Sequence, residues 1–107
     1  MQLDFDNRGG AVVIYAKGRI DAVNAQDFEK QCFEIIESGI SRLVIDMSQL
    51  EYISSAGLRS ILSIAKVLRK SSGDIKFCCL RGMVCEVFSI SGFSAMFTIS
   101  ETIEDAL

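Results

Sequence analysis

The sequence predicts an α/β fold for residues 1–107: a single domain with a mostly parallel sheet, one antiparallel edge, and helices packed on the sheet. Two observations lead to this prediction. Strand-like and helix-like segments alternate in the order β-β-α-β-α-β-α-β-α. The first two strands are separated by a glycine-rich turn and form a hairpin, whereas the later strands follow helices, as in right-handed crossovers between parallel neighbours.

The amino-terminal part contains the hairpin and the first helix. Residues 3–6 and 11–16 are predicted strands, and the turn between them is 7–10, Asn-Arg-Gly-Gly. Gly18 is expected to break the second strand, and residues 19–21 could form a brief extension of it. Asn24 is a good N-cap for a helix with one apolar face. The residues that carry the helical spacing are Ala25, Phe28, Cys32, Ile35 and Ile36.

The middle of the chain is predicted to be a strand followed by the second helix. Residues 42–47, RLVIDM, have the composition of a strand buried on both faces, and residues 48–51 are expected to form a short connection. The helix should begin near Ser54 or Ser55. Its core stripe is predicted to be Leu58, Ile61, Leu62, Ala65 and Leu68.

The carboxy-terminal part is predicted to complete the sheet. Residues 75–80, IKFCCL, are a β-rich segment that would form the next strand. A third helix around residues 83–90, a short strand at 97–99 and a terminal helix at 101–107 follow.

Composition limits the classes of function. The net charge of −3 at pH 7 argues against a nucleic-acid partner. No apolar run approaches the roughly 18 residues that span a bilayer, so direct membrane insertion is not expected. The chain contains no histidine, which rules out Ser-His-Asp and Cys-His catalysis, and it lacks the glycine-rich nucleotide motifs. We therefore expect neither an enzyme nor a bound cofactor.

The four cysteines, Cys32, Cys78, Cys79 and Cys85, form no C-x-x-C pair, so a metal site is not expected. Adjacent residues of a strand point to opposite faces, and Cys78 and Cys79 are predicted to do so. We expect four reduced core thiols. Together with an acidic, polar amino terminus unlike a secretory signal, they predict a cytoplasmic protein.

Ser54 and Ser55 lie where a buried strand gives way to a helix. One of them would cap the helix, a contribution of about 1 kcal/mol, which leaves the other for a different purpose. Ala56 and Gly57 have almost no side chain and leave the site open to a partner. This is also the carboxyl end of a central strand, where open α/β folds place their sites. A phosphate here would face free N–H groups at the positive end of the helix.

The stretch VIDMSQLEYISSAGLRSIL, residues 44–62, resembles the signature of STAS domains, and in particular that of bacterial anti-sigma factor antagonists. The segment GRID, residues 18–21, resembles a second element of that family, G-x-[LIF]-D. Residues 75–91 are similar to the family in order and spacing. The resemblance covers nearly the whole chain and implies a single STAS domain.

The resemblance also implies a function. In that family, the serine after the aspartate of D-S-x-G is phosphorylated by a partner kinase that is itself the anti-sigma factor. The matching residue is Ser55, and Ser54, the second choice, replaces the aspartate. The implied protein binds a kinase-type anti-sigma factor when unphosphorylated, is released on phosphorylation, and is reset by a serine phosphatase.

Further residues are assigned around this serine. The resemblance implies that Asp21 lies beside the phosphorylation site, and Arg59 could contact a partner or remain in water. The predicted partner-binding residues are Asp21, Ser54, Ala56, Gly57 and Arg59. Asp46 is predicted to support the site, together with Ser48, by accepting hydrogen bonds from the loop that leads to Ser55.

Three alternatives remain open. A protein with the same fold could be an accessory subunit of a lipid-transport or membrane-transporter assembly, which would need no phosphate. Asp46 could be the phosphoacceptor of a receiver-type domain, although no acidic pair follows the first strand. A binder of small ligands or nucleotides has no motif in its favour.

Overall fold

The structure is a computed structural model that describes residues 3–107. Its strands are β1 Asp4–Arg8, β2 Ala11–Ile20, β3 Arg42–Ile53, β4 Asp74–Cys78 and β5 Thr98–Ser100. Its helices are α1 Ala25–Glu37, α2 Ser55–Lys70, α3 Gly82–Ile90, α4 Phe93–Met96 and α5 Ile103–Ala106. Helix α4 was not predicted, because one short turn carries too little periodicity to be recognised.

The five strands form one sheet whose spatial order, β1-β2-β3-β4-β5, is also the order along the chain. Strands β1 and β2 pair antiparallel, and each later neighbour pairs parallel. The predicted fold class is therefore confirmed. None of the helices within residues 3–107 combines the length and the apolar character needed to cross a membrane.

Strand β2 continues through Gly18, so the predicted break was wrong. Gly18 has a φ of +73°, and the pairing with β3 shifts register between Gly18 and Arg19. Glycine adopts this left-handed conformation at little cost, so the irregularity is absorbed as a bulge. As a result, the strand reaches Ile20.

Strand β3 is also longer than predicted. Residues 48–51 continue the strand instead of forming a connection, because Gln49 and Leu50 pair with Lys17 and Gly18 of β2. Leu50 is buried in the main core. The extended β2 thus provides a partner for the whole of β3.

Two details of the helices also differ from the predictions. The side chain of Asn24 makes no capping bond to α1; its Oδ1 accepts from the N–H of Asp21 at 2.9 Å, and its Nδ2 donates to the Arg19 carbonyl at 2.8 Å. Leu62, which was predicted to lie in the core stripe of α2, is 40% exposed, and Ile64 is fully buried. In a helix of 3.6 residues per turn, Ile64 shares a face with residues 61, 65 and 68.

The cysteines are all free thiols, but only Cys32 and Cys78 are buried; Cys79 is half-buried and Cys85 is exposed. The expectation of four core thiols was therefore wrong for two of them. Burial raises the pKa of the Cys32 thiol to about 12. Cys79 has a φ of +65°, outside the extended range of a strand. Its side chain therefore does not point to the face opposite that of Cys78, as it would in a regular strand. The predicted opposite orientation of Cys78 and Cys79 was consequently wrong: their sulfur atoms lie within 4.8 Å of each other.

The sheet separates two apolar clusters. The larger one packs α1, α2 and α3 on one face, and the smaller one packs α5 against β2, β3 and β4 on the other. Four phenylalanines form a closed ring of edge-to-face contacts within the larger cluster, with centroid separations of 5.2–5.4 Å. They are Phe77, Phe88, Phe93 and Phe97. This ring joins β4 to α3 and α4.

Phe77→Ala should lower the free energy of unfolding by about 3–5 kcal/mol, because it removes a fully buried ring that contacts two others. Chemical denaturation would measure the loss. Ile90→Ala is the control, since Ile90 is 86% exposed and its loss should cost no more than about 0.5 kcal/mol. Equal costs for the two variants would contradict the assignment of the ring to the core.

Candidate functional site

The carboxyl ends of β2 and β3 meet at one edge of the sheet. Ile20 pairs with Ile53, and the N–H of Ser54 donates to the Ile20 carbonyl at 2.9 Å. Asp21 follows Ile20, and Ser55 follows Ser54. The fold therefore brings the two predicted centres of the site, which are far apart in sequence, to the same edge.

Ser54 is the N-cap of α2. Its backbone is extended, and its Oγ accepts a hydrogen bond from the N–H of Gly57 at 3.3 Å. Its carbonyl accepts the N–H of Leu58 at 3.0 Å, the first bond of the helix. Of the two serines, Ser54 is therefore the one that caps and stabilises the helix.

Ser55 is the first residue of α2 and is exposed. Within residues 3–107 its hydroxyl makes no hydrogen bond to another side chain or to the backbone. The N–H groups in the first turn of a helix lack intrahelical acceptors and carry the positive end of the helix dipole. The hydroxyl is therefore accessible, and the backbone around it favours added negative charge.

Gly57 is buried, so its predicted place on the partner-binding surface was wrong. A Cβ at this position would lie 2.7 Å from Cγ1 of Ile53 and 2.9 Å from Cγ2 of Ile20. Only glycine lets α2 begin this close to the ends of the two strands. Ala56 beside it is half-buried and remains at the surface.

Asp21 is fixed in the loop between β2 and α1. Its Oδ1 accepts from the N–H of Val23 at 3.0 Å and from that of Asn24 at 3.3 Å. These bonds, the one from Val23 first, hold the pKa of the Asp21 carboxyl below its usual value, and Arg19 contributes in the same direction. Asp21 therefore presents a negative charge of fixed orientation beside the start of α2.

Two residues near Asp21 were missed in the sequence. The guanidinium of Arg19 lies 4.4 Å from the centre of the Tyr52 ring, and its Nε is 3.4 Å from Oδ2 of Asp21. Val23 is 93% exposed. The Arg-Ile-Asp spacing places Arg19 and Asp21 on one side of an extended chain, but its contact with Tyr52 depends on a register between strands that a single sequence does not reveal.

Arg59 is exposed and lies one helical turn after Ser55, on the same side of α2. Arg59 and Ala56 line a shallow groove of about 450 Å³ between α1 and α2. The α1 side of this groove includes Gln26 and Glu29. The predicted surface residues Ala56 and Arg59 thus belong to one continuous face with Ser55.

Asp46 accepts a hydrogen bond from Ser48 as predicted, but residue 48 belongs to β3 and not to a loop that leads to Ser55. Asp46 lies within β3 on the sheet face opposite α2, and its Oδ1 accepts from the N–H of Ser48 at 2.8 Å. Asp46 and Ser48 therefore stabilise β3 locally. Asp46 is only 7% exposed, and the strand continues past it to Ile53, so it is a poor candidate for a receiver-type phosphoacceptor.

Comparison with known proteins agrees with this geometry. The family model for the STAS domain matches residues 2–106. A Bordetella bronchiseptica protein named "Putative anti-sigma factor antagonist BtrV" is 38% identical over 106 residues, covering 99% of this chain and 91% of its own. The Mycobacterium tuberculosis protein named "Anti-sigma-F factor antagonist RsfB" is 28% identical, covering 94% of this chain and 82% of its own.

A solved Thermotoga maritima structure shares the fold with a TM-score of 0.91 at 23% identity, covering 97% of this chain and 90% of its own. The fold and the arrangement of β2, β3 and α2 define a STAS domain. Within that class, the chain belongs to the anti-sigma factor antagonist family.

Gly57→Ala should destabilise the protein by about 1–3 kcal/mol, because the added methyl group overlaps Ile20 and Ile53. Helix propensity alone predicts the opposite sign, a gain of about 1 kcal/mol. Urea denaturation distinguishes the two. Ser63→Ala in the same helix is the control and should change stability by less than about 0.5 kcal/mol; a stabilised Gly57→Ala protein would contradict the close contact.

Proposed function

We propose that this protein is the antagonist in a partner-switching pathway. It binds a kinase-type anti-sigma factor while Ser55 is unphosphorylated, and phosphorylation of Ser55 by that kinase ends the binding. A serine phosphatase restores the unmodified form. The observation that carries the proposal is the exposed hydroxyl of Ser55 at the start of α2, beside the fixed carboxylate of Asp21.

The different structural roles of Ser54 and Ser55 support Ser55 as the modified residue. Ser54 replaces an aspartate of the family motif, and serine and aspartate are both good N-caps. Its hydroxyl is engaged with the Gly57 N–H, so a phosphate there would displace the cap. Ser55 can be modified without the loss of a described hydrogen bond.

The surface around Ser55 has the features of a protein-binding site. Val23 exposes almost its whole side chain, and Asp21 adds an oriented charge. The small Ala56 and the groove beside Arg59 leave room for a partner's side chains. Names of the relatives refer to anti-sigma factors, which supports a protein partner of that kind.

A phosphate on Ser55 would have opposite effects on the fold and on the interface. It adds about −1.5 to −2 charges at pH 7. In the free protein this charge would be stabilised by the helix start, and Arg59 lies one turn away. At an interface the same group would be desolvated beside the carboxylate of Asp21, and its bulk would separate surfaces that fit around Ala56.

The modification site can be tested with the purified anti-sigma factor kinase of the same organism and ATP. We expect one phosphate per chain, located on Ser55 by mass spectrometry, and none on Ser55→Ala. Ser54→Asp is the matched control because it removes the neighbouring hydroxyl and keeps the N-cap; it should still be phosphorylated. A phosphate on Ser54 or Asp46 would refute the assignment.

Phosphorylation should weaken binding to the kinase partner about a hundredfold, equivalent to roughly 3 kcal/mol, with little change in melting temperature. Ser55→Asp should reproduce part of the loss, since a carboxylate carries less charge and bulk. Calorimetry of partner binding beside thermal unfolding measures both quantities. Loss of binding that parallels partial melting of the modified domain would mean that the switch is a folding event, contrary to the proposal.

A further inference from the structure

The sheet face opposite Ser55 carries a cluster of two thiols and a carboxylate. The Sγ atoms of Cys78 and Cys79 and a carboxylate oxygen of Asp46 all lie within 4.8 Å of one another. Asp46 and Cys78 are buried, and Cys79 is half-buried. The proposed switch uses none of these three residues.

The fold assembles this cluster from the sheet itself. Asp46 of β3 and Cys78 of β4 are register partners, which places their side chains next to each other on one face. The left-handed backbone at Cys79 turns the second thiol toward the same face. The N–H of Cys79 donates to the Ser100 carbonyl at 3.1 Å, which holds that conformation against β5.

We propose that Asp46, Cys78 and Cys79 bind a thiophilic divalent metal ion of the zinc class. Zinc takes thiolate and carboxylate ligands at about 2.0–2.3 Å in tetrahedral geometry, which separates neighbouring donor atoms by roughly 3.5–4 Å. The cluster needs only a small contraction to reach this spacing. Water would occupy the fourth position.

A metal ion can reach the cluster from solvent. Cys79 lines an open groove of about 470 Å³, together with Arg81, Cys85 and Glu101. The half-buried thiol would therefore be the first ligand to bind, and the buried thiol would follow.

The charges at the cluster favour a cation. Within residues 3–107 no lysine or arginine forms an ion pair with the buried Asp46, whose carboxylate is compensated by the N–H of Ser48. Burial raises the pKa of both thiols; the hydrogen bond between them raises the pKa of Cys78 further and lowers that of Cys79, and the negative charge of Asp46 and Glu104 raises both. Binding one M²⁺ to two thiolates and one carboxylate would leave a complex of charge −1 and would release the protons that the thiols carry in the metal-free protein.

This inference reverses the expectation from the sequence. The absence of histidine and of a C-x-x-C pair argued against a metal site, but that rule assumes ligands spaced along a single loop or helix. Here two ligands come from adjacent residues and the third from a neighbouring strand.

Cobalt and zinc titrations of the reduced, metal-free protein test the proposal. We expect one Co²⁺ per chain with a thiolate-to-cobalt charge-transfer band in the near ultraviolet, which Zn²⁺ then abolishes. Cys79→Ser keeps the Cys78 thiolate, so it should retain only about half of the band's intensity and bind Zn²⁺ at least about tenfold more weakly, the smallest loss seen even when a group that only hydrogen-bonds to a metal ligand is removed. Cys85→Ser, the matched control on the rim of the groove, should behave as the unmodified chain.

A second variant tests the proposal even if the thiol variants fail to fold. Asp46→Asn keeps the shape of the side chain and should weaken Zn²⁺ binding about tenfold, with folding verified by circular dichroism. The unmodified chain needs no such check, and absence of its charge-transfer band would overturn the proposal. So would a band of undiminished intensity in Cys79→Ser, a band that is lost in Cys85→Ser, or an unchanged affinity in Asp46→Asn.

Discussion

The parallel pairing of β2 with β3 is the interaction on which the rest of the structure depends. It continues through the bulge at Gly18 to the pair Ile20–Ile53, so the last residues of the two strands are register partners. Helices α1 and α2 then begin from neighbouring strand ends and pack against each other, where the Ser60 hydroxyl donates to the Ala25 carbonyl at 3.0 Å. A shorter β2 would leave Ser54 without the Ile20 carbonyl and would separate Asp21 from Ser55.

The pairing of β2 with β3 explains why neighbouring residues at the start of α2 have different structural roles. Ser54 and Gly57 face the strand ends, and both are committed to the fold by a hydrogen bond or by close packing. Ser55 and Arg59 face solvent. A modification on the outer side therefore changes the charge and shape of a surface while the contacts beneath it stay intact. Such a separation is what a reversible switch by phosphorylation requires.

The sequence predicted what depends on local patterns and missed what depends on distant pairing. The hairpin, the strand-helix alternation and a helix cap at one of the two serines, Ser54 or Ser55, follow from residues close together in the chain. The continuation of β3 through residues 48–51 does not, because this polar stretch is extended only through its pairing with β2. The burial of Gly57 has the same origin, since the atoms that exclude a side chain belong in part to Ile20. The orientation of Cys79 was missed because its left-handed backbone breaks the alternation on which the prediction relied.

Successive side chains of strand β3 point to alternate faces of the sheet. This alternation separates the thiol cluster on one face from the Ser55 site at the start of α2 on the other. Asp46 points toward the cluster with Cys78, while Ile53 packs in the main core beneath α2. The start of α2 is positioned by a backbone bond to Ile20 and by the contacts of Gly57, and neither involves β4. A metal ion at the thiol cluster would link the side chains of β3 and β4 and leave those contacts unchanged. Because the two sites share no partners, their effects on stability should add.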